Sequence, residues 1–289
     1  MVKEIQAKVL LSQVSPPDTW FGLKYNMNLY RGCQHQCIYC DSRSSCYQIE
    51  NFKDIIVKVN AIDLLESELS KKRVRGTIGT GSMNDPYMPL EEKIILTGRA
   101  LEVIARLGFP VHIITKSDLV LRDLEILRAI SRVYAAVSFT ITTTDEELAS
   151  KIEPGVPPVW RRLHAMEQLS RNGILTGVTM MPILPFLEDN VENISRIVLR
   201  AHEAGASYII PSFGMSLRTG SREYYYERLD RWFPGLSRKY KARFGDQYQC
   251  PADQADILRE TFHDLCERYG IATRMEFYTR HVPRQLHFF

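Results

Sequence analysis

Apolar and polar positions alternate between two periods along most of this chain. Short runs rich in apolar and β-branched residues fall at 24–30, 77–79, 111–115, 133–139, 174–181 and 208–211. Between them apolar residues recur at helical spacing. The helical stretches are 61–72, where Ile62, Leu65 and Leu69 form one stripe, then 90–107, 121–130, 146–150, 158–172 and 191–204. Gly108 with Pro110, Gly173 and Gly205 stand where these helices should stop. Six alternations without hairpin signals predict parallel strands joined by right-handed crossovers. The expected fold class is α/β: a partial (βα)6 TIM-like barrel, open rather than closed, with a C-terminal helical extension.

After residue 211 the alternation stops. Residues 223–233, 236–244 and 252–269 predict helices, and 272–275 an extended segment. The expected organisation is an N-terminal extension over 1–20, the barrel core over 21–211 and a C-terminal substrate or partner region over 212–289. Chemistry in such a barrel gathers in the loops that follow the strands. Those loops hold a cysteine cluster after 24–30, Asn84 and Asp85 after 77–79, Lys116 after 111–115, and Ser138 at the end of 133–139.

Composition narrows the class further. With 289 residues, 45% hydrophobic and 25% charged, the chain has the content of an ordinary globular α/β protein. No apolar run approaches the about 18 residues of a membrane span. The opening Met1-Val2-Lys3-Glu4-Ile5-Gln6 lacks a signal-peptide core, so the expected location is cytoplasmic. A net charge of +3 implies no acidic partner by itself, but residues 218–243 concentrate eight Arg or Lys against three Asp or Glu. Tyr224, Tyr225, Tyr226, Trp232, Phe233 and Tyr240 are interleaved with them. That stretch reads either as amphipathic helices with Leu229, Trp232 and Phe233 in the core, or as a surface for the phosphates and bases of DNA or RNA.

Three of the six cysteines lie in the run Tyr30-Arg31-Gly32-Cys33-Gln34-His35-Gln36-Cys37-Ile38-Tyr39-Cys40, spaced C-x3-C-x2-C. Crowding on one loop favours metal ligation over disulfides. Three thiolates are one short of the set that a structural zinc or a cubane iron–sulfur cluster normally takes. The gap suits a catalytic centre, since a small molecule can fill it. A zinc site completed by His35 or Cys46 is the plainer alternative, and zinc or a redox-inert iron–sulfur cluster would make the chain a metal-ordered nucleic-acid recognition module without SAM chemistry.

The spacing, with an aromatic before the last cysteine, resembles the loop of radical S-adenosylmethionine (SAM) enzymes. The spore photoproduct lyase-like branch is the nearest match. The resemblance is carried also by residues 25–33, by Gly79-Thr80-Gly81-Ser82-Met83-Asn84-Asp85-Pro86-Tyr87, by Thr115-Lys116-Ser117 with Val120-Leu121-Arg122-Asp123, and by Ile152-Glu153-Pro154-Gly155. It implies that Cys33, Cys37 and Cys40 hold a [4Fe–4S] cluster whose fourth iron binds SAM. It implies Tyr39 beside the adenine, Asn84 near the methionyl amine, Lys116 at the carboxylate and Ser138 at the ribose. The same resemblance implies reductive cleavage of SAM to a 5′-deoxyadenosyl radical and hydrogen abstraction from a substrate the sequence leaves open, with a nucleic acid or nucleotide as the first candidate and an electron donor such as a flavodoxin or ferredoxin. One departure stands out. Photoproduct lyases carry a hydrogen-donating cysteine just before the pair that aligns with Asn84 and Asp85, where this chain has Ser82 and Met83. Cys46, Cys250 and Cys266 are the remaining thiols, and the sequence assigns the role to none of them.

Overall fold

A computed structural model describes residues 1–16, 18–49 and 51–279. Pro17 of the expected N-terminal extension and residues 280–289 of the expected C-terminal region lie outside the described residues. The strands are β1 (Val2–Ile5), β2 (Leu11–Gln13), β3 (Leu23–Met27), β4 (Tyr30–Arg31), β5 (Ile55–Lys58), β6 (Thr77–Thr80), β7 (Val111–Thr115), β8 (Ala135–Thr140), β9 (Leu175–Met180), β10 (Tyr208–Pro211), β11 (Gly214–Ser216) and β12 (Gln249–Pro251). The helices are α1 (Ala61–Ser70), α2 (Glu91–Ile94), α3 (Leu96–Leu107), α4 (Leu124–Ser131), α5 (Glu146–Ile152), α6 (Val159–Arg171), α7 (Val191–Glu203), α8 (Ser221–Trp232), α9 (Leu236–Phe244) and α10 (Ala255–Tyr269).

The organising sheet runs β10-β9-β8-β7-β6-β3-β2. Its pairs are parallel from β3 to β10, and only β2 at the edge runs antiparallel. The fold is thus α/β on a parallel sheet. Central strands such as β8 are buried on both faces, which is why they read as continuous apolar runs. Helices cover the outer face with Ala100, Leu101 and Ile104 of α3, Leu163 and Met166 of α6, and Ile194 and Ile197 of α7.

The structure differs from the sequence expectations in three places. Residues 1–20 carry strands that the sequence expectation did not name: β1 pairs parallel with β5, which pairs antiparallel with β4, and β2 pairs with β3. The helix expected over 90–107 is broken at Ile95, whose φ of 54° is left-handed, a costly conformation for a β-branched residue. The break wraps around the buried Glu91. Its carboxylate accepts from Thr97 N at 2.8 Å, Arg122 Nη2 at 2.9 Å and the Tyr30 hydroxyl. Finally, the tail adds a two-stranded antiparallel sheet, β11 against β12, with α8 and α9 between its strands in sequence.

The tail also shares a core with the cysteine loop. Tyr225, Tyr240 and Phe244 pack in one cluster with Cys37, Ile38, Tyr39 and Ile152. The Tyr225 and Tyr240 rings meet edge-on at 5.3 Å, and the Tyr240 hydroxyl donates to Pro185 O at 2.6 Å. α10 packs on the core helices, and Ala272 pairs with Tyr208 beyond the sheet edge.

Candidate active site

The strand ends converge on a cavity of about 870 Å³. Cys33, Cys37, Cys40, Tyr39, Asn84 and Lys116 all line it. The run expected as one strand over 24–30 splits into β3 and the short β4, which pairs antiparallel with β5 and leads into the cysteine loop; the Asn84 loop follows parallel β6, and Lys116 follows parallel β7. The three thiols are free; Cys33 and Cys37 are buried and Cys40 is half-buried. Burial pushes the Cys33 thiol up to about 12, and the Cys37 thiol is also pushed well above the usual range by burial. Metal ligation draws such protons off.

The donor chemistry fits a cluster. Among the described residues no three His, Cys, Asp or Glu side chains form a group that could hold a single metal ion. A cubane takes one thiolate per iron, so its cysteines ring a cavity rather than meet at a point.

Three backbone-level ties hold the loop. Ile38 N donates to Ile152 O at 2.9 Å, Gly155 N donates to His35 O at 2.9 Å, and His35 Nδ1 lies 2.9 Å from Gly155 O. Gly155 is required for this contact, because a Cβ there would stand 2.4 Å from Gln34 O. Gly81 is required for another reason: its φ is +102° and an added Cβ would meet Ile114 O at 2.0 Å.

Asp85 fastens the next loop. It accepts from Thr115 Oγ1 at 2.7 Å, Lys116 N at 2.6 Å and Tyr87 N at 2.9 Å. His35 Nε2 lies 3.1 Å away, close enough to pair but off-axis for a good hydrogen bond. Burial opposes ionisation of Asp85, yet His35 and these donors outweigh it and bring its carboxyl down to about 2. Asn84 donates to Tyr30 O at 2.7 Å, which joins that loop to β4.

Behind the cavity wall sits a charged group that the sequence does not announce. Glu153 and Arg162 are almost fully buried, with Glu153 Oε2 2.6 Å from Arg162 Nη2. The Tyr39 hydroxyl donates to Glu153 Oε1. Arg162 Nη1 donates to Thr140 O at 2.9 Å. Lys116 Nζ is 5.7 Å from the centre of the Tyr39 ring. Burial works against the charged form of Lys116, but the anionic forms of Cys37, Glu153 and Asp85 outweigh it and raise the amine. A raised, half-buried ammonium at a cavity wall is suited to an anionic ligand.

Ser138 is not brought to the cavity. Its Oγ lies 2.8 Å from His112 Nε2 on β7 and 2.7 Å from the Tyr208 hydroxyl on β10. Thr140, two residues further along β8 and on the same face, lines the cavity instead. Of the other thiols, Cys250 on β12 lines the cavity, Cys46 is exposed beside Arg218, and Cys266 is buried in the main core. Residues 218–243 do not line it. Tyr225, Tyr226 and Tyr240 are core, Arg222 is tied to Asp246 and to backbone carbonyls, and Arg243 pairs with Asp253. The far wall comes from Trp20, Phe213, Tyr248, Arg259 and His263.

The sequence profile of the radical SAM superfamily matches residues 27–198. This chain belongs to that superfamily. It is a radical SAM enzyme, with the family's general implication of a [4Fe–4S] cluster, SAM and a reductant. A spore photoproduct lyase solved with dinucleoside spore photoproduct superposes with a TM-score of 0.69 at 15% identity, over 93% of this chain and 79% of that one. An uncharacterized protein of Mycobacterium tuberculosis strain H37Rv is 29% identical over 278 residues, 93% of this chain and 81% of that protein. The radical SAM Nalpha-GlyT isomerase of Pseudomonas phage M6 is 22% identical over 215 residues, 74% of this chain and 42% of that protein. Among the described residues no helix is long and apolar enough to cross a membrane.

Asp85, Thr140, Glu153 and Arg162 are site residues to which sequence reasoning gave no role, while His35 entered only as a zinc ligand in the alternative reading and Cys250 only as one of three open thiols. Arg162 does leave a trace. It falls between Val159 and Leu163 on the stripe that runs to Met166, a cation on an otherwise apolar helix face.

Proposed function

We propose that Cys33, Cys37 and Cys40 ligate a [4Fe–4S] cluster whose open iron binds SAM. The observation that supports this most is the meeting of all three thiols with Tyr39, Asn84 and Lys116 on one cavity. When bound and reduced, the pair supplies a 5′-deoxyadenosyl radical that takes hydrogen from the substrate. This chain's residues do the rest. Lys116 offers a cation to the SAM carboxylate, Asn84 a polar contact to the amine, and Tyr39 a flat face to the adenine. Thr140 suits the ribose better than Ser138 because it lines the cavity and Ser138 does not; the Thr140 hydroxyl is shared with Thr179 Oγ1 at 2.9 Å. The walls exclude water and hold the reacting atoms.

The architecture is read here as a (βα)6 partial barrel over 21–211, with 1–20 as an extension and 212–289 as the substrate or partner region. A nucleic acid or nucleotide is the proposed substrate, and a flavodoxin- or ferredoxin-like protein the electron donor. The dinucleoside in the similar lyase structure supports the substrate class, and so do Trp20, Tyr248 and Arg259 on the far wall, which offer rings and a cation. Metal and sulfide analysis of anaerobically purified protein tests the reading. About four irons and four sulfides per chain, together with a spectral response of the reduced cluster to SAM, bear it out. A colourless protein holding zinc, with no response to SAM, favours the recognition module instead.

A further inference from the structure

Glu153 and Arg162 are too deeply buried to be incidental. Taking two such ions out of water is unfavourable by several kcal/mol each, and a well-packed apolar pair often serves stability as well or better. The pair is therefore poorly explained by stability alone, and its other bonds suggest what it does. Glu153 has one oxygen for Arg162 and one for the Tyr39 hydroxyl. Arg162 uses its remaining N–H groups on Thr140 O at 2.9 Å and Pro157 O at 3.2 Å. Tyr39 rides on the cysteine loop and Thr140 ends β8, and both line the cavity. One buried guanidinium–carboxylate unit thus spans from the cysteine loop to the end of a barrel strand. The backbone on either side of Glu153 grips residues 35–38 at the same time.

We propose that Glu153 and Arg162 are positioning residues that fix the Tyr39 ring against the end of β8 and so set the affinity of the cavity for SAM. The inference rests on the radical SAM reading of this site. Neither residue is among those lining the cavity, so each acts through Tyr39 and Thr140. A fork of two N–H donors on separate acceptors needs guanidinium geometry, which an ammonium cannot reproduce.

The experiment compares the wild type with Tyr39→Phe, Glu153→Gln and Arg162→Lys after anaerobic reconstitution. For each protein one measures iron content, thermal unfolding and the SAM concentration that half-converts the electron paramagnetic resonance signal of the reduced cluster. Tyr39→Phe leaves the buried ion pair whole, so it reports on positioning even where Glu153→Gln fails to fold. The expected result is unchanged iron in Tyr39→Phe with SAM affinity weaker by about tenfold or more, the scale of one hydrogen bond to a charged group. Arg162→Lys should show the same weakening, because the tie to Thr140 is lost. Variants that melt earlier yet bind SAM as the wild type does would overturn the inference and leave the pair as a structural element. A wild type that loads iron but shows no spectral response to SAM would overturn the underlying reading, and the inference with it.

Discussion

Replacing Gly155 with alanine tests whether the 152–155 segment shapes the cysteine loop. An added Cβ stands 2.4 Å from Gln34 O, 2.9 Å from His35 O and 3.0 Å from His35 Cα. All three are backbone atoms, so no side chain can swing aside. Ordinary contact begins at 3.4 Å, and the two segments must therefore part by about 1 Å. That movement breaks or stretches the Gly155 N to His35 O bond, now 2.9 Å. Overpacking costs about 1–3 kcal/mol and a lost hydrogen bond about 1 kcal/mol. For a chain of this size the sum lowers Tm by about 4–8 °C.

The displaced atoms lie between Cys33 and Cys37, so iron uptake should fall as well. Gly173→Ala is the control. Gly173 is also left-handed, at φ +74°, but nothing lies within 4 Å of its added Cβ. It should cost about 1 kcal/mol and leave iron uptake intact. Circular dichroism melts and iron assays on both variants decide the matter. A Gly155→Ala protein that melts and loads iron like the wild type refutes the clash argument.

Three further outcomes follow from the same geometry. Cys33→Ala, Cys37→Ala and Cys40→Ala should each lose most bound iron while keeping the wild-type circular dichroism spectrum, whereas Cys250→Ala should keep its iron; equal losses would make Cys250 a ligand. In cluster-free protein, iodoacetamide should modify the exposed Cys46 first and Cys250 and Cys266 much later, since burial raises both of those thiols; peptide mass mapping reads the order, and early modification of Cys266 would contradict its burial. Burial lowers His112 to about 3 from an ordinary 6.5, so only the unfolded chain takes up that proton between those values. His112 thus imposes no penalty above pH 6.5, and stability is lost as pH falls below it, by about 2 kcal/mol from pH 7 to 5. Urea midpoints measured across that window should show the loss, and His112→Gln should flatten it.

Much of the sheet was legible because its central strands are short, apolar and β-branched. The runs expected at 111–115 and 208–211 match β7 and β10 residue for residue. β1 and β5 were not legible, since they are short and find each other across about fifty residues of chain. Neither was the break at Ile95, which depends on where Glu91, Arg122 and Tyr30 meet in space. In the site, the spacing of Cys33, Cys37 and Cys40 marked them as ligands, and the resemblance to radical SAM enzymes pointed to Tyr39, Asn84 and Lys116. Ser138 was named by the same resemblance, but its hydroxyl lies against His112 and Tyr208 and away from the cavity lining. Glu153, Arg162 and Cys250 owe their places to tertiary packing and to the long-range pairing of β11 with β12, for which a single sequence holds only faint signals.

The central claim is that this cavity joins an iron–sulfur cluster to SAM. Its most direct test is anaerobic reconstitution with iron and sulfide, reduction with dithionite, addition of SAM, and chromatography of the products. The account predicts 5′-deoxyadenosine and methionine from the wild type and neither from Cys37→Ala. Fully loaded, reduced wild-type protein that leaves SAM intact would contradict it.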